Sequence, residues 1–208
     1  MESLSPEAAL DLLDGLACAL LAAAACCRAR SFGAHVTGAL VLGCLCGLTG
    51  PLLREAFLHG QAIRIASGMP AVALVGALGA IAGFYLLKGF RLFFWLDSAS
   101  IGLAASVGAI CSLPETGITG ALALGLINAL TPGLVRDMAL GDTAMLVDRA
   151  WYATAAAFGA IVALAVFILI ITCGTAAWLD RRAADIAILS GFCAVLWLRA
   201  WKGRNALD

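Results

Sequence analysis

The sequence predicts an all-α integral membrane protein with seven transmembrane helices, arranged as two inverted three-helix repeats plus a seventh helix. Three observations carry that prediction. Hydrophobic residues fill 63% of the 208 positions and charged residues only 12%, with a mean hydropathy of +1.02. The apolar residues fall into seven stretches, each near the ~20 residues that cross a hydrocarbon core. A segment of the first half also recurs in the second half. A soluble domain carries about twice this charged fraction, so lipid, rather than a polar surface, must solvate the outer faces.

The first stretch runs from Ala8 to Cys27. It is rich in alanine and only weakly apolar, which suits a helix packed inside a bundle. Acidic residues precede and open it (Glu2, Glu7, Asp11, Asp14) where a cleaved signal would carry a basic leader, so it reads as a retained helix. The second stretch covers Phe32 to Leu58, the third Met69 to Leu87 and the fourth Leu92 to Leu113. The fifth covers Gly117 to Leu140, the sixth and greasiest Trp151 to Leu179, and the seventh Ala183 to Trp201. The whole chain, 1–208, is one membrane domain: a first repeat over 8–89, a second over 92–179, and the last helix over 183–201. Phe93, Phe94, Trp95, Trp151, Tyr152, Trp178, Trp197 and Trp201 stand near segment ends, where an interfacial aromatic belt belongs.

Seven crossings place the termini on opposite sides. The C-terminal side collects Arg28, Arg30, Lys88, Arg91, Arg149, Lys202 and Arg204, against Arg64, Arg181 and Arg182 on the other. The positive-inside rule then puts the C-terminus in the cytoplasm and the N-terminus outside. With 13 basic and 13 acidic residues, no excess charge points to nucleic acid. The eight cysteines form no CxxC pair and read as small apolar filler. The two histidines, His35 and His59, stand apart from any carboxylate cluster, so the sequence offers no metal site. No nucleophile stands beside a base, which leaves an intramembrane enzyme unsupported.

The repeat is the informative feature. Val36–Gly60 aligns without a gap on Ile118–Asp142 at an offset of 82, with 11 of 25 positions identical. Composition bias explains matched Gly, Ala and Leu. It does not place an arginine followed by an acid, Arg54-Glu55 and Arg136-Asp137, at the same point in both copies. Three spans separate the matched points, and an odd number inverts the second copy. Both copies also carry helix-breaking residues: Thr49-Gly50-Pro51 and Thr131-Pro132-Gly133. Proline deletes a donor and clashes with the preceding turn. Each helix should therefore break or kink there, and the two freed stretches should meet near the midplane, facing protein or water.

Arg54 and Arg136 each follow a break by about one helical turn. Two readings stand side by side: each snorkels to an interface and pairs with Glu55 or Asp137, or each belongs to a polar pathway. Asp14 and Asp97 are either local counter-ions or helix N-terminal carboxylates. The spacings Gly43-xxx-Gly47, Gly79-xxx-Gly83 and Gly125-xxx-Ala129 read as close helix packing.

With these residues the chain resembles the prokaryotic trimeric intracellular cation (TRIC) channels. The resemblance runs over nearly the whole chain: an Asp-led first helix, then a broken helix carrying Arg and an acid, repeated, with a seventh helix. It departs in lacking the family's triple glycine in both copies and in having Glu55 where an aspartate is usual. The resemblance implies a homotrimer in the plasma membrane with a potassium-permeable, sodium-passing pore inside each protomer. The pore and gate residues would be Thr49, Gly50, Pro51, Arg54, Thr131, Pro132, Gly133 and Arg136, with Asp14, Glu55, Asp97 and Asp137 as counter-charges. No cofactor is implied beyond the permeant ions and membrane lipid. Inverted repeats with interrupted helices serve alternating access equally well, so a secondary transporter of a small solute such as an amino acid is the second reading.

Overall fold

The computed structural model describes residues 6–59, 69–85, 90–142, 151–173 and 182–203. They form α1 (Pro6–Ser31), α2 (Val36–His59), α3 (Met69–Tyr85), α4 (Phe90–Leu140), α5 (Trp151–Thr172) and α6 (Ala183–Gly203). Among the described residues, five helices are long and apolar enough to cross a membrane, with the shorter apolar stretch Leu74–Tyr85 besides. The chain is an integral membrane protein. The third and sixth predicted stretches end at Leu87 and Leu179, outside the described residues, as do Arg64, Lys88, Arg149, Trp178, Arg181 and Arg204.

Two of the predicted stretches are joined as α4, whose two limbs bend at Gly117 (φ 67°, ψ −175°). Left-handed backbone costs an L side chain roughly 1–2 kcal/mol. Gly117 is exposed, and nothing near it would meet a side chain, so the local conformation alone requires glycine. Of the break or kink expected at Pro51 and Pro132, the break does not form. Both prolines lie inside helices, and Gly117 is the one residue of α4 with non-helical backbone angles. A proline removes one hydrogen bond, but in lipid the unfolded backbone has nowhere better to go, and neighbouring helices hold the turn in place.

The ends of the helices sort into two sets. Arg30, late in α1, donates to the Phe84 carbonyl late in α3. Arg28 pairs with Asp142, just past α4, at 2.5 Å. Its guanidinium also stands over Phe93, at the start of α4. At the opposite end, His59 of α2 reaches Glu115 beside the Gly117 bend, at 3.7 Å. Ala9 and Leu12 of α1 share a pocket there with Arg182 and Asp185 at the start of α6.

Small residues let the backbones touch. Gly79 and Gly83 of α3 rest on the α1 backbone at Ala19 and Ala23, and Gly43 and Gly47 of α2 rest on Cys18 and Ala22. The alanine-rich α1 is accordingly the most buried of the candidate spans. Gly125, in the second limb of α4, lies on Ala105 and Ala109 of the first. Of the eight cysteines, all free, Cys18, Cys26, Cys27 and Cys46 are buried in this packing.

Candidate functional site

Three polar features line up along the bundle: a charged site near each end and a crossing between them. The first charged site belongs to α1 and α2. Arg54 forms a two-pronged fork onto Asp14, with Nη1–Oδ1 at 3.1 Å and Nη2–Oδ2 at 2.9 Å. Glu55 stands 3.5 Å from the same Nη2 and also faces His59, at 3.4 Å. His59 therefore sits between Glu55 and Glu115 rather than apart from the acids, because the α4 bend brings Glu115 to the end of α2.

The second site joins both limbs of α4 to α5 and α6. Asp97 accepts from Arg136 Nη1 at 2.7 Å, from Arg199 Nη1 at 3.1 Å and from the Tyr152 hydroxyl at 3.4 Å. Arg136 Nε donates to Asp137 at 2.7 Å. The guanidinium of Arg136 lies over Phe93 at 5.0 Å and that of Arg199 over Phe94 at 4.7 Å. Two guanidinium groups and two carboxylates balance here. Asp97 and Arg136 are each only 2% exposed. Charges this dry persist only when each is paired and hydrogen-bonded. Phe93 and Tyr152 are buried in this cluster and do not belong to an interfacial belt, whereas Trp95, Trp151, Trp197 and Trp201 do face outward. The ring faces of Phe93 and Tyr152 are used against guanidinium groups instead.

Neither arginine is at the midplane. Arg54 is five residues from the end of α2 and Arg136 four from the end of α4, about 6–8 Å at 1.5 Å per residue. Asp14 and Asp97 occupy the counter-ion positions, Asp14 on Arg54 and Asp97 on Arg136. Glu55 and Asp137 also contact those arginines, so both partner sets are engaged.

The crossing lies between. Gly50, Pro51, Pro132 and Gly133 are buried, and Thr49 and Thr131 are half-buried. The Thr49 hydroxyl donates to the Leu45 carbonyl (2.5 Å) and that of Thr131 to Ile127 (2.8 Å), one turn back in each helix. Gly50 meets Asn128 in the second limb of α4. A Cβ on Gly50 would lie 2.5 Å from the Asn128 carbonyl oxygen and 2.7 Å from its Oδ1. Both residues are near the middle of their helices. Gly133 is capped by the Tyr152 hydroxyl. The two proline segments thus do approach each other at mid-depth, and the crossing is shut, helix against helix.

Sequence reasoning missed Arg199 and Asn128, and placed Tyr152 in the interfacial belt. An arginine inside the apolar run Val195–Trp201 and an asparagine four residues before Pro132 are both polar residues at membrane depth, and that was the available signal.

Similar molecules share this architecture. A TRIC trimeric intracellular cation channel orthologue from Rhodobacter sphaeroides superposes with a TM-score of 0.75 and 25% identity, covering 92% of this chain and 95% of that one. The chain has the fold of the TRIC channels. A second TRIC cation channel, solved to explain conductance, matches with TM-score 0.72 and 21% identity over 94% of this chain and 93% of its own. A prokaryotic TRIC channel crystallised in 0.5 M KCl matches with TM-score 0.72 and 16% identity over 93% and 96%. The TRIC-like resemblance read from the two arginine segments therefore stands. A glycine-transporter family model matches residues 94–167, from the first limb of α4 into α5. None of the curated proteins compared with the chain matches it.

Proposed function

We propose that the chain is a monovalent-cation channel, permeable to potassium, with one pore inside each protomer of a homotrimer. The single observation that carries this reading is the placement of two arginine–carboxylate sites on either side of the Gly50–Asn128 helix crossing. Counting the limbs of α4 separately gives seven crossings. The offset that relates Arg54 to Arg136 then makes residues 8–89 and 92–179 inverted copies, with 183–201 as the added helix. The pairing Asp14–Arg54 in one copy and Asp97–Arg136 in the other supports the inversion, as does the sorting of helix ends. The fold shared with TRIC channels supports both the ion pathway and the trimer. Lipid is the remaining partner, in a prokaryotic plasma membrane with the N-terminus outside.

In this reading an ion passes between α2 and the second limb of α4 when they part at Gly50. The carbonyls that Pro51 and Pro132 cannot bond, those of Gly47 and Asn128, replace part of its water shell, with the hydroxyl oxygens of Thr49 and Thr131. Pro51 and Gly133 keep those turns adaptable. Arg54 and Arg136, neutralised by Asp14, Glu55, Asp97 and Asp137, flank the pathway without placing free positive charge in it.

The glycine-transporter match over 94–167 favours a second reading. An arginine released from its aspartate could hold a substrate carboxylate, and the inverted repeat suits alternating access. Proteoliposomes loaded with potassium separate the two. Rapid, non-saturating rubidium uptake with no glycine uptake is the expected result. Saturable glycine uptake driven by an ion gradient, without rubidium leak, would replace the channel by the transporter.

A further inference from the structure

Asn128 is the one polar side chain at the crossing whose hydrogen bonding is incomplete. It is 1% exposed. Its Nδ2 donates to the Ala104 carbonyl at 2.7 Å, which fixes the amide orientation and turns Oδ1 toward Gly50. That oxygen has no hydrogen-bond partner. Four residues on stands Pro132, which has no N–H to offer the Asn128 backbone carbonyl. One residue therefore presents two acceptor oxygens, side chain and main chain, to the same spot near the middle of the bundle. Gly50 occupies that spot, its missing side chain leaving just enough room.

A buried acceptor without a donor costs free energy that packing alone does not return. The Nδ2 bond to Ala104 ties the two limbs of α4 together, but it makes no use of Oδ1. Two oxygens on one side of a gap are what a partly dehydrated monovalent cation needs when it loses part of its hydration shell.

We propose that Asn128 is a cation-coordinating residue at the narrowest point of the pathway, and that Gly50 is the stopper that covers it in the shut state. The proposal rests on the channel reading above and adds to it a specific ligand and the surface that seals it. Opening moves α2 away from the second limb of α4, and the Asn128 Oδ1 and carbonyl oxygens pass from Gly50 to the ion. Gly50 must be glycine for the seal to form, since a methyl there would collide with both oxygens.

The test compares single-channel records of wild type, Asn128→Leu and Gly50→Ala, each purified and shown to be monodisperse. Asn128→Leu keeps the branched shape and removes the side-chain oxygen. Potassium conductance should fall about tenfold, the scale of one lost contact to a charged group, and the order of permeabilities among lithium, sodium, potassium and caesium should change. Gly50→Ala wedges the crossing, so open probability should rise while that order stays as in wild type. If the leucine variant does not fold, Asn128→Ser, which withdraws the oxygen without adding apolar bulk, carries the same expectation in smaller measure. A conducting wild type with an Asn128 variant of unchanged conductance and unchanged permeability order overturns the proposal alone. A silent wild type overturns the channel reading and the proposal with it.

Discussion

Arg54 and Arg136 are 82 positions apart in matching segments, yet their surroundings differ. Arg54 holds Asp14 by a fork, leaves its Nε without a partner, and sits beside Glu55 at 3.5 Å. Arg136 gives its Nε to Asp137, shares Asp97 with Arg199, and lies over Phe93. The Asp14 side chain retains 16% exposure, against 2% for Asp97. Charge differs as well. Asp14 and Glu55 face one guanidinium at the first end, with Glu115 on the neighbouring His59, whereas two carboxylates face two guanidinium groups at the second. Matching segments have thus produced an acidic, part-exposed site at one end of the bundle and a neutral, dry one at the other. Part of the difference comes from α6, which supplies Arg199 to the second site.

Removing the central carboxylate of each site gives the largest expected contrast. Asp97→Ala strands two buried guanidinium groups with only Asp137 between them and should cost about 3–5 kcal/mol. Asp14→Ala leaves Glu55 near Arg54 and a part-exposed site, and should cost about 1–2 kcal/mol after screening. Thermal unfolding of the two variants in the same detergent checks this, and equal losses would erase the distinction between the part-exposed and the dry site. Arg199→Leu comes next. Asp97 keeps Arg136, so a loss of about 1–3 kcal/mol is expected for one charged hydrogen bond. The smallest effect should be a gain. Asp137 reaches the Nε of Arg136, and Glu55 does not reach that of Arg54, so Glu55→Asp should stabilise the first site by about 0.5–1 kcal/mol. A destabilised Glu55→Asp would show that the longer side chain is needed for its contact with His59.

The repeat and its charged residues were legible because an arginine followed by an acid at a fixed offset cannot come from composition bias. The partners Asp14 and Asp97 were legible only as one of two roles, since chain position does not reveal which helix face meets which. Arg199 and Tyr152 escaped because their contacts cross from α6 and α5 into α4, and nothing local encodes that packing. Phe93 and Tyr152 looked interfacial since they stand near segment ends; their rings turn inward because buried guanidinium groups need a face to lie on. The helix breaks were over-read. Proline and glycine propensities describe chains with water as the alternative partner, whereas in lipid the helix persists through Pro51 and Pro132 with one hydrogen bond missing. Gly117 does bend the chain, at an exposed position between the two limbs of α4, where water can take up the freed groups.

The most direct measurement is single-channel recording of the purified wild-type protein in planar bilayers with a potassium gradient. Discrete current steps that reverse near the potassium equilibrium potential, with brief openings from a mostly closed baseline, are the predicted result. Silent bilayers from protein that takes up glycine in parallel vesicles would contradict it.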